Sequence, residues 1–553
     1  MGNPNGYTPR MTAQPTPTGV APAPLTDLGR AQAVIEFKPV PLRERIRLVR
    51  PPQRASRRYR VAAVTPCFNR ANDIERLLSD MARLDRRGID LVVVVVDNAS
   101  SVPLSEIPTP PGLDVEHVRL AENRGGAGGF NAGMAHVLSG SGIWGRRREP
   151  DFIWILDSDA RVTRRCLREL IRAIRSRDDL AAVGSALVDP LTKRVYEIGG
   201  KLQRFTGYYV PAAQGSVDHR YLVEADYLAA CSTLVRCEAI RRTGLMPEIF
   251  INGDDVEWFL QMRAATGWRV AGAPRAIAYH PLPSRKFQTW VRYYTTRNSY
   301  APLDCMGYGR VTRFTRGLVD TARATAQAIM GLPELADLHL QGMADAAAGR
   351  TVGYGPGGGI APIANSTRMT PFVSLAEQVR VALMTRPGSR LFVHPILKVH
   401  SVDFDGLREQ LDLLEVRATE ADHAAWGKRS LGARRFRDMA AAVLRVFKPT
   451  TADVAIVPTG WPTGWFRGRT LFQITNDGYL VREVSTFGSV REAVRVITRG
   501  GVLALRLAMR RRQCNPLPQA PVRSTDTNSV ATKAGSNSTI QLSINSPVQS
   551  TAS

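Results

Sequence analysis

Residues 91–100 read LVVVVVDNAS, a run of six apolar residues that ends at Asp97. A short apolar run of this kind is typical of a strand buried on both faces of a parallel sheet. The preceding apolar residues recur at helical spacing, at Ile74, Leu77, Leu78, Met81 and Leu84. The order of helix and strand therefore predicts an α/β fold with helices on both faces of the sheet.

The same alternation continues on either side of this run. Further strands are predicted at 61–65, 115–120, 152–156 and 180–187, and further helices at 130–138 and 163–176. The pattern predicts a doubly wound sheet, in which ligands bind beyond the carboxyl ends of the strands. The polar residues that close each strand are therefore the candidates for a functional site.

Composition divides the chain into five predicted segments. These are a disordered arm at 1–40, a basic linker at 41–59, the α/β domain at 60–305, a mainly α-helical region at 306–512 and a disordered Ser/Thr-rich tail at 513–553. Both termini are rich in small and polar residues, which cannot offset their ordering entropy by burial. The Arg-rich linker is either a solvated connector or a contact for anionic lipid or phosphate.

The whole chain carries a strong excess of positive charge. Its 74 Lys and Arg against 49 Asp and Glu give a net charge of +25, which favours a polyanionic partner. Nucleic acid, an anionic membrane and a phosphate-bearing substrate all satisfy this condition. The basic residues are dispersed and no nucleic-acid-binding motif accompanies them, so we expect no nucleic-acid partner.

Cysteine spacing and hydropathy indicate the cellular environment. The six cysteines form no CxxC pair and no zinc-site spacing, so we predict neither a disulfide scaffold nor a structural zinc, and a reducing compartment. Residues 1–30 do not resemble a signal peptide, and no apolar run reaches the roughly 18 residues of a membrane span. The expected location is the cytoplasm. The alternative is a peripheral protein bound at the inner face of the plasma membrane.

Polar clusters follow the predicted strands. They are TPCFNR at 65–70, DNAS at 97–100, DSD at 157–159 and GDDVEW at 253–258, with His280 further along the chain. The two carboxylates of the DSD cluster can together approach a hard divalent cation, which prefers oxygen ligands. A strand-end turn or a helix N-cap would explain the same residues. The preceding strand favours the metal site because it directs both acids to the crevice where Asp97 emerges.

Four glycines occur at a predicted junction between a loop and a helix, in ENRGGAGGFN at 122–131. Backbone amides at such a junction can face a phosphate or a sugar hydroxyl. A tight helix entry without a ligand is the alternative. A dinucleotide fingerprint is excluded because the first turn from strand to helix, at 65–70, contains no glycine.

Asp254 and Asp255 are adjacent carboxylates at the predicted start of a helix. Two acids that share a site raise the pKa of one of them, which is how a general base is made. Stabilisation by the helix dipole is the alternative reason for acids at this position. A lone histidine such as His280 is more often structural, but beside a metal-binding DSD cluster it becomes a candidate ligand.

Taken in order, these motifs resemble the family 2 glycosyltransferases of the GT-A fold, and among them the galactofuranosyl and rhamnosyl transferases of actinobacterial cell-envelope assembly. The matching stretches are TPCFNR (65–70), VVVDNAS (94–100), ENRGGAGGFNAG (122–133), WILDSDA (154–160), NGDDVEW (252–258) and YHP (279–281). The resemblance covers residues 60–300. It implies a Rossmann-like nucleotide-diphospho-sugar transferase domain that precedes the mainly α-helical region.

The resemblance also implies a role for individual residues. The donor-binding residues would be Pro66, Asn69, Asp97, Arg124, Gly125, Gly126 and Asp157. Asp157, Asp159 and His280 would bind Mn²⁺ or Mg²⁺, which bridges the donor diphosphate. Asp255 would be the general base. The residues on the acceptor side would be Asp254, Glu257 and Trp258, and Arg297 and Asn298 would face the acceptor or the diphosphate.

The implied activity is inverting, metal-dependent transfer of galactofuranose from UDP-galactofuranose to a hydroxyl of a cell-envelope glycan or a polyprenyl-linked acceptor. A rhamnosyl or other hexosyl transferase that acts on a protein or another glycan is the alternative within this class. A sugar-nucleotide-binding scaffold without turnover is the alternative outside it. The motifs do not choose the donor sugar, and the presence of both DSD acids, Asp255 and His280 disfavours the scaffold.

Overall fold

A computed structural model describes most of the chain between residues 58 and 521. The described residues are 45–47, 58–147, 149–190, 192–213, 220–281, 291–329, 331–350, 370–385, 388–393, 397, 406–414, 450–458, 466–467, 469–474, 478–512, 514–521 and 540–541. The predicted arm at 1–40 lies outside these residues, as do most of the predicted linker at 41–59 and most of the predicted tail at 513–553.

The first part of the chain alternates between strands and helices. The strands are β1 (Arg45–Arg47), β2 (Tyr59–Cys67), β3 (Ile89–Asp97), β4 (Asp114–Arg119), β5 (Phe152–Leu156), β6 (Arg161–Val162), β7 (Leu180–Val188), β8 (Val195–Glu197), β9 (Gly200–Leu202), β10 (Tyr209–Pro211), β11 (Tyr221–Ala225), β12 (Ser232–Arg236) and β13 (Arg269–Tyr279). The helices are α1 (Ala71–Ala82), α2 (Gly125–Leu138), α3 (Ile143–Arg146), α4 (Cys166–Ile174), α5 (Cys237–Thr243), α6 (Asp254–Thr266), α7 (Val291–Arg297) and α8 (Ala301–Cys305).

Most of these strands form one mixed sheet. Its order is β1, β11, β13, β7, β12, β5, β2, β3, β4, with β6 and β8 paired to β13 and β7, and β20 (Ile540–Gln541) beside β4. Strands β5, β2, β3 and β4 are parallel. Strand β12 is antiparallel to both of its neighbours, β5 and β7. The predicted doubly wound α/β fold is confirmed, and the antiparallel β12 makes the sheet mixed.

Both faces of the sheet are covered, as the apolar run at 91–96 predicts. Alternate residues of β3 point to opposite faces. Val92, Val94 and Val96 belong to the core on the α2 side, and Val93 and Val95 belong to the core that contains α1 and α4. All five side chains are fully buried.

The direction of winding changes between β2 and β5. From β2 the chain proceeds outward through β3 and β4, and it then returns to place β5 on the other side of β2. In a doubly wound sheet this topological switch point opens a crevice at the carboxyl ends of the strands. The residues after Cys67 and after Leu156 therefore meet at one edge of the sheet.

The region predicted as mainly α-helical is confirmed as helical and also contains a small sheet. The helices are α9 (Arg310–Ile329), α10 (Pro333–Ala347), α11 (Leu375–Met384), α12 (Leu407–Leu413) and α13 (Thr486–Met509). The strands are β14 (Leu391–Val393), β15 (Thr450–Thr451), β16 (Val454–Pro458), β17 (Phe466–Arg467), β18 (Thr470–Ile474) and β19 (Tyr479–Glu483). Strands β14, β16, β18 and β19 form a four-stranded sheet. None of the described helices is long and apolar enough to cross a bilayer.

Residues 514–521 fall inside the predicted disordered tail, yet they pack against the α/β domain. The backbone N–H and side-chain amide of Asn515 donate to the carboxylate of Glu257 at 2.6 and 2.7 Å. The carbonyl oxygen of Pro518 accepts a hydrogen bond from the N–H of Leu245 at 2.7 Å. The packed part of the chain therefore extends beyond the boundary predicted at residue 513.

The cysteines require one further correction. Cys305 and Cys514 form a disulfide with their Cα atoms 5.7 Å apart, whereas the cysteine spacing predicted no pairing. The two residues are 209 positions apart, so local spacing carries no sign of the pair. The other four cysteines, Cys67, Cys166, Cys231 and Cys237, are free.

Candidate active site

The carboxyl ends of β2 and β5 bring two of the predicted clusters together. The Nη1 atom of Arg70 lies 3.4 Å from Oδ2 of Asp159. The same nitrogen lies 3.3 Å from Oδ2 of Asp73 at the start of α1. Arg70 belongs to the TPCFNR motif but was assigned no role from sequence. It places a positive charge at the edge where the DSD acids emerge.

His280 meets both DSD acids because β6 pairs with the end of β13. The register aligns Arg161 with Tyr279, which brings the turn after Asp157 beside the residue that follows β13. The Nε2 atom of His280 lies 3.2 Å from Oδ1 of Asp159 and 3.5 Å from Oδ2 of Asp157. The three residues predicted as metal ligands therefore converge on one point.

The arrangement around His280 fits a divalent cation. Its Nδ1 atom lies 2.9 Å from the hydroxyl of Tyr196, which orients the ring. Its Nε2 atom is buried and makes no hydrogen bond with acceptable geometry to any described residue, despite the two nearby carboxylates. A ring protonated on Nδ1 would direct the Nε2 lone pair toward two negative charges, and a cation between them removes that conflict.

Cys231 also lies at this point, although no motif in the sequence indicated it. Its Sγ atom, a carboxylate oxygen of Asp157 and a ring nitrogen of His280 lie within 4.8 Å of one another. Burial, together with the charge of Asp157, raises the pKa of the Cys231 thiol well above its usual range. A bound cation lowers the pKa of a thiol that coordinates it, so Cys231 joins Asp157 and His280 as a candidate ligand.

The glycine-rich loop is held by side chains of the preceding motif. The Asn98 side chain accepts a hydrogen bond from the N–H of Arg124 and donates one to the carbonyl of Gly125, both at 2.9 Å. The N–H of Gly125 donates to the Asn123 side chain, and the N–H of Gly126 donates to the carbonyl of Phe250. Both glycine amides are thus engaged within the protein, which corrects the expectation that they face a ligand.

The two glycines instead allow a close approach to the segment before α6. Gly125 has a φ of +72°, and a Cβ atom added there would lie 2.0 Å from the carbonyl oxygen of Phe250. A Cβ added to Gly126 would lie 3.7 Å from Oδ2 of Asp254, an ordinary contact. Further along α2, Gly129 packs in the same way against Pro66 at the end of β2. Small residues therefore bring Pro66, the loop and the start of α6 together.

Replacing Gly125 by alanine is expected to lower the free energy of unfolding by at least about 2 kcal/mol, because the new side chain adds left-handed backbone strain to a clash with backbone. Gly126→Ala is the matched control, because it adds the same methyl group at a helical position with room for it. Urea unfolding of the two variants measures the difference. Equal stability of the two proteins would contradict the packing described here.

Asp254 and Asp255 begin α6, directly after two residues with left-handed backbone, Asn252 and Gly253. The carboxylate of Asp255 accepts hydrogen bonds from the N–H groups of Ala230 at 3.1 Å and Val256 at 2.7 Å. Burial, above all, raises the pKa of Asp255 to about 6. Burial and the charge of Asp255 raise the pKa of Asp254 to about 8.

The same crevice contains a further acid, Glu197 on β8. Burial and the charge of Asp255 raise the pKa of Glu197 to about 8. The charge of Asp157 contributes to the raised pKa of both Asp254 and Asp255, so these acids share one environment. The sequence around Glu197 carries no motif, and only the antiparallel pairing of β8 with β7 brings it to the site.

Two residues predicted on the acceptor side lie in the interior. Glu257 and Trp258 are both fully buried. Glu257 accepts hydrogen bonds from Asn515 and from the side chain of Gln261, and the indole N–H of Trp258 donates to the carbonyl of Gly244 at 3.0 Å. They are corrected to packing residues of α6. Asp254 is also buried, at 8% exposure, and its carboxylate lies near Gly126 at the start of α2.

Asp97, predicted to bind the donor, is occupied by the protein itself. It is 2% exposed, and its carboxylate accepts hydrogen bonds from the N–H groups of Ser100 and Leu104 and from the side chain of Arg119. Nearby, the Asn69 side chain accepts a hydrogen bond from the N–H of Ser101 at 2.8 Å. In this structure both residues hold the loop after β3.

Three further predicted residues differ in their access to the crevice: Arg124 is partly exposed, whereas Arg297 and Asn298 are buried. The Arg124 guanidinium donates to Glu248 at 2.9 Å and its side chain is 29% exposed. Arg297 is 1% exposed, with its guanidinium over the rings of Tyr293 and Tyr294. Asn298 donates to the carbonyls of Ile251 and Asn252. Asn298 therefore supports the loop before α6, and of the two arginines Arg124 is the one with solvent access.

A mixed, doubly wound sheet with acids at its switch point is the architecture of nucleotide-sugar transferases of the GT-A fold. Residues 62–220 match the model of the family described as Glycosyl transferase family 2. Over these residues the chain is therefore similar to the glycosyltransferases of family 2. No curated protein matches the sequence.

Several solved structures are similar to the chain at low identity. They are the mannosyltransferase PcManGT from Pyrobaculum calidifontis in complex with GDP-Man and Mn²⁺ (16% identity, 67% of this chain, 89% of that chain, TM-score 0.35), TarS 1–349 from S. aureus in complex with UDP-GlcNAc (14%, 53%, 84%, 0.36) and GalNAc-T7 with UDP, GalNAc and Mn²⁺ (10%, 40%, 43%, 0.31). At these scores the likeness does not extend to a shared substrate.

Proposed function

We propose that the protein is an inverting, metal-dependent glycosyltransferase that moves galactofuranose from UDP-galactofuranose to a hydroxyl of a cell-envelope glycan or a polyprenyl-linked acceptor. The observation that carries the proposal is the convergence of Asp157, Asp159 and His280 in a domain similar to those of family 2. The half-buried acid Asp255 shares their electrostatic environment. The choice of donor rests on the resemblance of the NRGGAGGF stretch at 123–130.

Asp157, Asp159 and His280 are the residues that would hold the cation. When bound, Mn²⁺ or Mg²⁺ supplies positive charge that stabilises the leaving diphosphate. Tyr196 orients the His280 ring, and Arg70 adds a fixed positive charge beside Asp159. Arg124 is the second arginine that would bind a diphosphate, and it would release Glu248 in order to do so. Pro66 and Asn69 would border the nucleotide.

Asp255 is the group that would remove the proton from the acceptor hydroxyl. The N–H groups of Ala230 and Val256 fix the direction of its carboxylate. Deprotonation of the hydroxyl allows its oxygen to attack the anomeric carbon from the side opposite the leaving diphosphate, with inversion. A single displacement of this kind needs one base and no carboxylate nucleophile. Asp254 and Glu197 are the neighbouring acids on the side where the acceptor would bind.

The pH dependence of transfer follows from the raised pKa of Asp255. A base whose pKa is near 6 loses its active, deprotonated form as the pH falls through that value. We expect kcat/KM to fall about tenfold per pH unit below the midpoint and to level off above it. Because Asp255 and Asp254 interact, the profile reports the pair of acids. A midpoint near 4, the ordinary value for aspartate, would contradict the burial of the base.

A panel of nucleotide sugars tests the proposed function. Binding and slow hydrolysis of UDP-galactofuranose, UDP-galactopyranose, UDP-glucose, dTDP-rhamnose and GDP-mannose are measured with and without Mn²⁺. We expect a metal-dependent response that is strongest for UDP-galactofuranose. A stronger response to another sugar would replace the donor and keep the transferase. Silence of the folded protein toward every donor in the presence of Mn²⁺ would contradict the proposal.

A further inference from the structure

The outward face of α13 carries a row of exposed apolar side chains that is interrupted at Gly501. Their exposed fractions are 54% for Val490, 59% for Val494, 54% for Ile497, 52% for Leu505 and 66% for Met509. The spacing of these residues keeps them on one face of an α-helix. Scattered apolar residues are normal on a protein surface, but an aligned row over about five turns marks an interaction surface.

This row is distinct from the face that anchors the helix in the fold. The inner face buries Val496, Leu503 and Leu507. It approaches α9 closely, since a Cβ atom on Gly317 would lie 2.8 Å from Cα of Ala504. A Cβ atom on Gly500 would likewise lie 2.5 Å from the Thr321 side chain. The helix therefore has two apolar faces, and its own core explains only one of them.

The two close contacts also set the direction of packing. Gly317 lies opposite Ala504 and Gly500 lies opposite Thr321, so α9 and α13 run antiparallel. This register places the start of α9 beside the end of α13. Val311 and Leu318 of α9 are 67% and 43% exposed. Both therefore lie on the part of α9 that packs beside the end of α13.

Positive charge borders the apolar row. The exposed arginines of α13 and of the residues directly after it are Arg491, Arg499, Arg506, Arg511 and Arg512. Glu492 is the one acidic residue between 486 and 512, and it pairs with Arg495 at 2.7 Å. Among the described residues no acidic side chain pairs with these five arginines, so the surface combines exposed apolar side chains with positive charge.

We propose that the outward face of α13, formed by Val490, Val494, Ile497, Leu505 and Met509 and bordered by the exposed arginines, docks on the surface of an anionic lipid bilayer. An amphipathic helix of this composition lies in the plane of the interface, with its apolar residues among the lipid chains and its arginines at the anionic headgroups. A second copy of this chain fits the same face poorly, because pairing two such faces brings like charges together.

Docking would connect the lipid surface to the helix that carries Asp255. The end of α13 is fixed by Arg510, which donates to Asp304 and to the carbonyl of Ala346. A few residues later, Asn515 contacts Glu257 of α6. The inference stands on the surface of α13 alone and does not depend on the sugar transferred. Its bearing on a lipid-linked acceptor rests on the proposed function.

Co-sedimentation of the full chain with lipid vesicles tests the inference, with no nucleotide sugar present. The vesicles are phosphatidylcholine alone and phosphatidylcholine mixed with phosphatidylglycerol, each at low and high salt. We expect binding to the mixed vesicles that weakens with salt. Ile497→Asp with Leu505→Asp, and separately Arg499→Glu with Arg506→Glu, are each expected to lower the partition coefficient at least about tenfold.

Two matched controls carry the same changes elsewhere on the surface. Val373→Asp with Val381→Asp alters two side chains that are 77% and 60% exposed, and Arg83→Glu with Arg87→Glu alters two arginines after α1 whose side chains are 64% and 80% exposed. Both controls are expected to bind as the wild type does, with unfolding temperatures measured for every variant. Failure of the wild type to bind anionic vesicles would overturn the inference. Vesicle binding at the wild-type level by the folded α13 variants would also overturn it. If, in addition, the wild type is a dimer and these variants are monomers, the face is an interface between two copies of the chain.

Discussion

Asp255→Asn is expected to lower kcat for sugar transfer by about 10²- to 10⁴-fold, the usual contribution of a general base. Donor binding is expected to stay close to that of the wild type, because the change leaves Asp157, Asp159 and His280 in place. The asparagine retains the size of the side chain and one acceptor oxygen, but it cannot accept a proton. Initial rates at saturating donor, together with calorimetric donor affinity, separate the two effects.

The control for this variant is Asp178→Asn, the same chemical change on an exposed residue between α4 and β7. It is expected to leave rate and affinity unchanged. In Asp255→Asn one of the two backbone donors, from Ala230 or Val256, faces the new amide nitrogen, so unfolding must be measured alongside the rate. Transfer at the wild-type rate by folded Asp255→Asn would remove Asp255 from the role of base.

Asp159→Ala is expected to weaken metal-dependent donor binding at least about a hundredfold, since the cation supplies several kcal/mol of charge stabilisation at the diphosphate. The variant removes a carboxylate whose Oδ1 faces His280 and whose Oδ2 faces Arg70. Titration of Mn²⁺ in the presence of the donor, followed by the electron paramagnetic resonance of free Mn²⁺, measures the loss directly.

Asp73→Ala provides the matched control for Asp159→Ala. Asp73 also contacts Arg70, at 3.3 Å, but no contact joins it to His280 in the described structure. Removing it changes the same arginine without removing a proposed ligand. The control is expected to keep Mn²⁺ affinity, and equal losses in the two variants would show that the effect passes through Arg70 and not through the cation.

The local part of the fold could be predicted because burial leaves a periodic trace in the sequence. The run at 91–96 lies within β3, and its alternate residues enter two cores as a doubly buried strand requires. The position of β12 could not be predicted, because no local pattern states that Ser232–Arg236 inserts antiparallel between β5 and β7. Sheet order is a property of long-range pairing.

The same limit applies to the site. The motifs identified Asp157, Asp159 and His280 as a group, and the pairing of β6 with β13 brings them together. Cys231 and Glu197 reach the site through segments without motifs, so no sequence pattern indicated them. Glu257 belonged to a motif but is buried. Its partner Asn515 is 258 positions away, so no local pattern indicated that the protein itself engages Glu257.

The prediction of disorder for residues 514–521 was wrong for a related reason. Residues 514–521 read CNPLPQAP, and the Ser, Thr, Asn and Gln that dominate the residues after them indicated disorder for the whole tail. Their contacts are supplied by distant residues: Glu257 and Leu245 bind the segment by hydrogen bonds, and Cys305 binds it through a disulfide. The segment is ordered because a buried acid elsewhere takes its donors and because Leu517 and Ala520 pack against the main core.

The most direct test of the account compares three proteins on one donor: the wild type, Asp159→Ala and Asp255→Asn, each with UDP-galactofuranose and Mn²⁺. Donor affinity and turnover are measured on the same samples. The account predicts that the wild type binds and turns over the donor, that Asp159→Ala loses binding, and that Asp255→Asn binds the donor but does not transfer its sugar. Identical behaviour of the two folded variants, or binding by Asp159→Ala equal to that of the wild type, would contradict it.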